Sequence, residues 1–211
     1  MADTQFELLW NLPARSLEVP NRRGAGTSSV AVVDAGAWPL GATSGRVFLK
    51  RQRAFFCRPA WNAFRRTPTA RREVRFLARA RAIGVDAPTV AYYGEVGDRA
   101  ILAVDEISGA VDFERVLAGA SGETRDAIIR SVGAALATLH AARIVHGALY
   151  PKHILVGAGD PRRVALIDFE KGRVALTAAR ASARDLDRLA RHAPFLSAHD
   201  WSLLREPDAT R

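Results

Sequence analysis

The sequence predicts an α+β protein whose first half is rich in strands and whose second half is mainly helical. Before residue 107, short apolar runs are bounded by Gly, Pro and Asp, which is the usual signature of β-strands. After residue 107, apolar residues recur at helical spacing over longer segments, which indicates amphipathic helices. With 211 residues, 48% of them hydrophobic, the chain can bury one core or two small lobes. We therefore predict one domain with lobes at 1–107 and 108–211.

Four strands and one helix are expected in the first lobe. The strands are predicted at VAVVD (30–34), GRVFLKRQ (45–52), TVAYYGE (89–95) and RAILAVDEI (99–107). In the second strand, Val47 and Leu49 share one face because side chains alternate along a strand. The helix opens near Thr67 and runs to about Ile83, where Gly84 closes it. Its predicted buried stripe consists of Val74, Leu77 and Ala78.

The second lobe is predicted to contain four helices and a short hairpin. Asp112 can cap a short helix that runs to Leu117. Ser121 or Gly122 opens a longer helix to about Ala142. The remaining elements are two short strands in HGALYPKHILV (146–156) and VALID (164–168), and helices near 178–192 and 199–206.

Composition disfavours a membrane-spanning protein and a disulfide-stabilised one. The sequence contains no run of 18 or more apolar residues, and we expect no secretion signal because no basic segment precedes an apolar stretch. Cys57 is the single cysteine, so no internal disulfide can form and a reducing compartment is expected. We predict a cytoplasmic protein, with peripheral attachment to the inner membrane as an extension of that prediction.

Positive charge is concentrated in one part of the chain. The net charge is +9, and Glu73 is the only acid between Lys50 and Arg81. The arginines of this arginine-rich segment are Arg51, Arg53, Arg58, Arg65, Arg66, Arg71, Arg72, Arg75, Arg79 and Arg81. Such a segment attracts phosphates or carboxylates, because a guanidinium group binds them in bidentate fashion. A solvated helix face is the alternative.

Three charged residues follow the order of a recurrent phosphate-transfer plan. Lys50 ends an apolar run in VFLK, Glu73 lies on the following helix, and Asp168 ends the strand VALID. In this plan the lysine neutralises nucleotide phosphates, the acid holds the lysine, and the aspartate holds magnesium. The segment VDEI, which contains Glu106, falls where the backbone would join the lobes and take the adenine. The alternatives are an ordinary surface ion pair and an Asx turn at Asp168.

This order of elements resembles the protein-kinase-like fold. The individual sequence segments resemble those of the lipopolysaccharide kinase (Kdo/WaaP) family, and within it the InaA-like proteins. The matching segments are NRRGAGTSSV, FLKRQ, TPTARREVRFL, AILAVDEI, HGALYPKHILV and LIDFEKGR. They extend from Asn21 to Arg173, roughly three quarters of the chain. The resemblance implies a bilobal fold with a small antiparallel-sheet N-lobe carrying one helix and an abbreviated, mainly helical C-lobe.

The resemblance also implies roles for individual residues in a reaction that uses ATP and Mg²⁺. Lys50 would contact the phosphates, Glu73 would pair with it, and Asp168 would bind the metal. The 146–153 loop would face the acceptor hydroxyl, which makes His146 a candidate catalytic residue.

The glycine-rich turn in GAGTSSV is the other candidate contact to the cofactor. Its candidate residues are Gly24, Gly26 and Ser29, since backbone amides and hydroxyls in such a turn can bind phosphate. Thr27 and Ser29 stand where InaA-like proteins tend to have Trp and Gly. A plain hairpin turn is the alternative.

The 146–153 loop departs from the kinase pattern at its most important position. Kinases of this fold place an aspartate two residues after the loop histidine, and this chain has Ala148 there. A general base contributes roughly 10²–10⁴-fold, whereas most of the acceleration of phosphoryl transfer comes from positioning and charge stabilisation. Ala148 therefore predicts a slow kinase more readily than an inactive one. His146, Tyr150 and water are the candidate substitutes.

Three further polar residues bear on this loop. His153 replaces the magnesium-binding asparagine of many kinases, as it does in the lipopolysaccharide kinases. Because magnesium prefers oxygen ligands, we expect His153 to bond the backbone or a phosphate oxygen instead. Asp185 and Asp187 either anchor the loop or balance arginines on a helix face, and the sequence does not choose between these roles.

The resemblance implies a sugar hydroxyl of the lipopolysaccharide core as the acceptor. The sequence after Asp168 contains no Ala-Pro-Glu segment and few residues for the helices on which protein kinases bind peptides, which argues against a protein substrate. An anionic glycolipid at the cytoplasmic membrane face suits the arginine-rich segment. An acidic partner protein is a second possible ligand of that segment.

Two other functions compete with this one. A non-catalytic nucleotide-binding pseudokinase switch is motivated by Ala148. A nucleic-acid-binding module is motivated by net charge alone, and we disfavour it.

Overall fold

The computed structural model describes residues 2–41, 45–58 and 66–206. Within this range the chain divides into two compact units. The first unit contains the described residues up to Arg75 together with Pro88–Ser108. The second contains Phe76–Ala87 and the described residues from Gly109 onward. The division into lobes at residue 107 stays a prediction, and the contact-based units differ from it at Phe76–Ala87.

The first unit is built around an antiparallel sheet. Its helices and strands are α1 (Ala2–Asn11), β1 (Arg15–Ser16), β2 (Asn21–Arg23), β3 (Gly26–Asp34), β4 (Arg46–Arg53), β5 (Phe56–Cys57), β6 (Thr67–Pro68), α2 (Thr69–Ala82, which continues into the second unit), β7 (Val90–Val96) and β8 (Arg99–Asp105). The sheet has six strands in the order β1-β3-β4-β8-β7, with β2 paired to the start of β3. β5 and β6 form a separate pair.

One face of this sheet is covered by α1, a helix that was not predicted from the sequence. Val47 and Leu49 share one face of β4, as predicted, and both are fully buried. They belong to a core cluster with Phe6, Leu9, Val33, Trp38, Ile101 and Ala103. Arg51 lies on the same face and donates to the carbonyl oxygen of Leu9 at 2.9 Å. The apolar alternation of β4 thus correctly indicated a buried face but not the helix that buries it.

The buried face of α2 differs from the predicted stripe. Ala78 is exposed and Val74 is half-buried. The buried side chains are Thr69, Ala70, Glu73, Phe76, Leu77 and Ala80. The prediction was right for Leu77 and wrong for Ala78, because it searched only for apolar periodicity and the buried face of this helix includes the carboxylate of Glu73.

The second unit combines helices with two small antiparallel sheets. Its remaining elements are β9 (Ala110–Asp112), α3 (Phe113–Ala118), α4 (Gly122–Ala141), β10 (Ile144–Val145), β11 (Ile154–Gly157), β12 (Val164–Leu166), β13 (Arg173–Val174), α5 (Ala178–His192) and α6 (Ala198–Arg205). The strand orders are β12-β11-β9 and β10-β13. Asp112 caps α3 as predicted, accepting from the backbone N of Arg115 at 3.0 Å.

α4 and α6 are held together by close packing and an ion pair. Asp200 is 1% exposed and accepts from Arg125 at 2.8 Å. The hydrogen bond from Arg125 lowers the pKa of Asp200 to about 2. A Cβ atom at Gly133 would lie 2.6 Å from the carbonyl oxygen of Leu204, so only glycine allows α6 to approach α4 this closely.

The structure confirms the predicted fold class. It is α+β, with an antiparallel sheet in the first unit and the longest helices in the second. No helix of the described residues is long and apolar enough to cross a membrane.

Replacement of Phe6 tests the contribution of α1 to the first unit. Phe6 is 1% exposed, so Phe6→Ala should lower the free energy of unfolding by about 3–5 kcal/mol. Leu8 on the same helix is 51% exposed, so Leu8→Ala should change it by no more than about 0.5 kcal/mol. Urea unfolding of both variants provides the comparison, and equal losses would show that α1 does not form part of the core.

Candidate functional site

In the first unit, Lys50 and Glu73 form the buried ion pair that the sequence analysis expected. Lys50 Nζ lies 2.6 Å from Glu73 Oε2, and their side chains are 14% and 7% exposed. This exposure rules out an ordinary surface pair. Removing two charges from water costs free energy that their attraction repays only with good geometry. A pair at this depth therefore holds an ammonium group at a defined place on the sheet.

Gln52 fixes the position of α2 relative to β4 and was missed by the sequence analysis. It is 1% exposed, and its Oε1 accepts from the backbone N of Ala70 at 3.0 Å. Its Nε2 donates to Thr69 Oγ1 at 2.7 Å. Gln52 lies two residues after Lys50 on one strand face, and Glu73 lies three residues after Ala70 on one helix face. The Gln52 contacts therefore set the register that brings Glu73 to Lys50.

The glycine-rich turn is the two-residue loop of the β-hairpin formed by β2 and β3. Gly24 has φ +58°, in the left-handed region that favours glycine. A Cβ at Gly26 would collide with the carbonyl of Ala54. Ser29 pairs with Arg51, and Ser28 pairs with Gln52. Because paired residues share a face, Ser29 lies on the α1 face of the sheet, opposite Lys50, and Ser28 is the serine on the Lys50 face.

Glu106 follows β8 directly and is tied to β4. Its backbone N donates to the carbonyl oxygen of Arg46 at 2.9 Å, and its carboxylate accepts from Arg46 Nε at 3.1 Å. The backbone N–H of Glu106 is thus already engaged. A contact between Glu106 and an adenine base stays a prediction.

In the second unit, Asp185 anchors the 146–153 loop, which resolves the alternatives left open by the sequence. Its carboxylate accepts from the backbone N of His146 at 2.7 Å and of Gly147 at 2.9 Å. It also lies 3.1 Å from His140 Nε2. Burial alone would raise the pKa of Asp185, but these hydrogen bonds outweigh it and hold the pKa below its usual value. Asp187 takes the other role, forming an exposed pair with Arg191.

Gly147 is required by two independent constraints. Its φ is +77°, and a Cβ there would collide with the carbonyl oxygen of Lys171. The loop can therefore turn away from Asp185 only with glycine at this position.

Two histidines hold the backbone of Ala148. The backbone N of Ala148 donates to His146 Nδ1 at 3.3 Å. His153 Nδ1 donates to the carbonyl oxygen of Ala148 at 2.7 Å, as expected for a histidine that fixes the loop. Ala148 itself is 2% exposed. The position of the usual proton acceptor is thus held firmly, although its side chain is a methyl group.

The same histidines position Asp168 through Ile167. His146 Nε2 donates to the carbonyl oxygen of Ile167 at 2.9 Å, and the backbone N of Ile167 donates to the carbonyl oxygen of His153 at 3.0 Å. Asp168 then adopts φ +63°, a conformation that Asp tolerates better than most residues. Its Oδ2 lies 3.4 Å from His153 Nε2.

His146 supports the loop through both of its ring nitrogens, and a catalytic role for it stays a prediction. Both of its ring nitrogens are engaged by the backbone contacts to Ala148 and Ile167. Its exposure is 0%, and burial lowers its pKa to about 4. In this structure both ring nitrogens are therefore engaged by the backbone of the loop and of Ile167. Tyr150 accepts from Arg188 at 3.1 Å, so its hydroxyl also lies in a structural contact.

Asp168 is the carboxylate that could hold a metal. Its side chain is 28% exposed. Among the described residues, no three or more His, Cys, Asp or Glu side chains converge into a self-contained metal site. Mg²⁺ is commonly held by one or two carboxylates with substrate phosphates and water. A single accessible carboxylate thus fits a magnesium ion that arrives with a nucleotide.

Comparison with known proteins identifies the family. The model of the lipopolysaccharide kinase (Kdo/WaaP) family matches residues 7–206, so this chain belongs to that family. Protein InaA of Escherichia coli (strain K12) is 24% identical over 210 residues, which cover 95% of this chain and 94% of that protein. The resemblance inferred from the sequence segments is confirmed.

A second relative shares only part of its length with this chain. A probable bifunctional tRNA threonylcarbamoyladenosine biosynthesis protein of Natronomonas pharaonis is 31% identical over 159 residues. These cover 75% of this chain but 26% of that protein.

The low pKa of His146 predicts a loss of stability in mild acid. Between about pH 6.5 and 4, the unfolded chain binds a proton at His146 that the folded chain excludes. The free energy of unfolding should therefore fall as the pH drops through this window, by up to roughly 3 kcal/mol. The lowered pKa of Asp185 acts in the same direction, but only below its usual value of 3.8.

The matched variant for this prediction is His146→Gln, which cannot titrate. It should be less stable than the parent at pH 7.5 and should show a flatter dependence of stability between pH 6.5 and 4. Urea unfolding at a series of pH values measures this. An unchanged slope in the variant would assign the acid sensitivity to another group.

Proposed function

We propose that this chain is an ATP-dependent phosphotransferase that acts on a sugar hydroxyl of the lipopolysaccharide core. Its family supports a kinase-like role. The observation that carries the proposal is the buried Lys50–Glu73 pair, 2.6 Å apart. A cation held at this cost on a strand next to a glycine hairpin suits the neutralisation of nucleotide phosphates. In this proposal, the acceptor is an anionic glycolipid met at the cytoplasmic membrane face.

The first unit would bind the nucleotide. Lys50 would neutralise its phosphates, and Glu73 would hold the ammonium group in place. The hairpin at Gly24 and Gly26 would offer backbone amides to the phosphates. Glu106 would contribute a backbone contact to the adenine.

The second unit would supply the metal ligand and support the acceptor. Asp168 would hold Mg²⁺, which supplies positive charge that stabilises phosphoryl transfer. His153 would orient the Asp168 carboxylate, which lies 3.4 Å from its Nε2. His146 would act as a positioning residue by holding Ala148 and Ile167, with the acceptor proton released to water.

Ala148 limits the proposed rate. With no base on this residue, the reaction would lack a contribution of roughly 10²–10⁴-fold, while the charge-stabilising groups remain in place. Slow turnover is the expected result. The same residue favours a second candidate function, a nucleotide-binding switch that performs no transfer.

Nucleotide calorimetry tests the binding site shared by both candidates. We expect ATP binding that strengthens with Mg²⁺ in the parent protein and loses this increment in Asp168→Asn. Asparagine tolerates the left-handed backbone at this position, so the variant removes charge without strain. Asp187→Asn, an exposed carboxylate in the same unit, serves as the matched control and should bind like the parent. No binding at millimolar ATP would exclude both the kinase and the switch.

Restoring a base at position 148 separates the two candidates. Ala148→Asp should raise kcat for phosphate transfer by roughly 10²-fold or more if the site is assembled for chemistry. Ala148→Asn has the same size but no basic group and should show no gain. Because Ala148 is 2% exposed, the melting temperature of each variant is measured alongside. A folded, nucleotide-binding Ala148→Asp protein with no transfer would establish the switch.

A further inference from the structure

The arginine-rich segment does not form a single basic face. Arg51 donates to Leu9 in the first unit, and Arg71 forms an ion pair with Glu95. Arg81 donates to the carbonyl oxygen of Ala87 at 2.7 Å in the second unit. These arginines serve the fold. Arg65 lies outside the described residues.

Two arginines of the segment instead line a cavity together with Arg23 of the glycine hairpin. The cavity has a volume of about 210 Å³ and lies within the first unit. Its lining includes Arg23, Phe55, Phe56, Cys57, Arg58 and Arg66. The guanidinium of Arg23 lies 4.7 Å from the centre of the Phe55 ring, a cation–π contact that favours one orientation of this arginine.

The charge and size of the cavity indicate a small anionic ligand. Three cations approach from separate parts of the chain, and none of the described lining residues carries a carboxylate. Guanidinium groups bind phosphate in bidentate fashion. The volume of about 210 Å³ lies below the ~300–1,000 Å³ typical of pockets for drug-sized ligands. It suits a phosphate group with part of one sugar ring better than a whole nucleotide.

We propose that this cavity binds a phosphate group already present on the acceptor glycan. The role of the glycan as acceptor rests on the proposed function, whereas the phosphate site rests on the cavity alone. The chain would then select acceptors that carry a phosphomonoester on a sugar next to the reacting one. An earlier phosphorylation of the glycan must supply that group.

Glucose 6-phosphate is the probe for this site. We expect 1:1 binding by calorimetry to the nucleotide-free full chain at constant ionic strength, and no binding of glucose. Arg58→Gln and Arg66→Gln should each weaken binding roughly tenfold or more, since a hydrogen bond between charged groups is lost. Arg22→Gln removes the same charge from an exposed arginine outside the lining and should leave binding unchanged.

Cys57 localises the bound probe. It is the only cysteine of the chain and lines the cavity, so its alkylation by N-ethylmaleimide reports on this place alone. Saturating glucose 6-phosphate should slow the reaction severalfold, and potassium chloride of equal ionic strength should not. If Cys57 proves unreactive in the free protein, the arginine variants decide the location by themselves.

Several results would overturn the proposal. Absence of binding at millimolar glucose 6-phosphate would remove the site, and equal binding by all three arginine variants would place it elsewhere. Competition with Mg-ATP would make the cavity part of the nucleotide site and refute the acceptor assignment. If glucose 6-phosphate binds as expected but no nucleotide does, the phosphate site stands and the phosphotransferase proposal falls.

Discussion

The candidate site of the second unit depends on the buried carboxylate of Asp185. It accepts from the backbone of His146 and Gly147 and lies within reach of His140. An ionised carboxylate only accepts hydrogen bonds, so it can satisfy several donors at once where an amide or hydroxyl would present a competing donor. Further contacts connect the anchored loop to Asp168. The His146 ring is directed to Ile167, and Ile167 sets the backbone from which Asp168 projects.

In the first unit, the buried polar residue that fixes the backbone is an amide, which both accepts and donates hydrogen bonds. Gln52, on the sheet, accepts a hydrogen bond from a backbone N–H at the N-terminus of α2. The Lys50–Glu73 pair forms next to this contact, between the same strand and the same helix. Apolar residues at such buried positions are often as stable as ion pairs or more so. The Lys50–Glu73 pair is therefore poorly explained as a device for stability. The proposed function gives the pair another role, which is to hold a charge for a ligand, and Gln52 fixes the two elements that carry the pair.

Local patterns predicted the sheet well and failed where partners are distant in sequence. Short apolar runs bounded by turn residues identified β3, β4, β7 and β8, and Asp112 and Gly84 correctly marked helix ends. α1 was missed because its apolar residues are buried only by contact with the sheet, which is distant in sequence. The sequence also does not show that Ser28, and not Ser29, shares a sheet face with Lys50, because the side of the sheet depends on pairing with β4. Gln52 was missed because apolar periodicity treats buried polar positions as solvent-facing, and for Asp185 the same limit left the anchoring role as one of two alternatives.

Around Ala148 the loop keeps its contacts, although the carboxylate that kinases carry at this position is missing. Its backbone N and O are both bound by histidines, Gly147 keeps a conformation that other residues would strain, and Asp168 stays in its left-handed conformation. These contacts use backbone atoms and do not depend on the side chain at 148. A loop that served only to connect β10 and β11 would not need two buried histidines and a buried carboxylate, each of which costs free energy to desolvate. Asp168 is therefore held in place by contacts that do not depend on the side chain at 148, and both candidate functions require this placement.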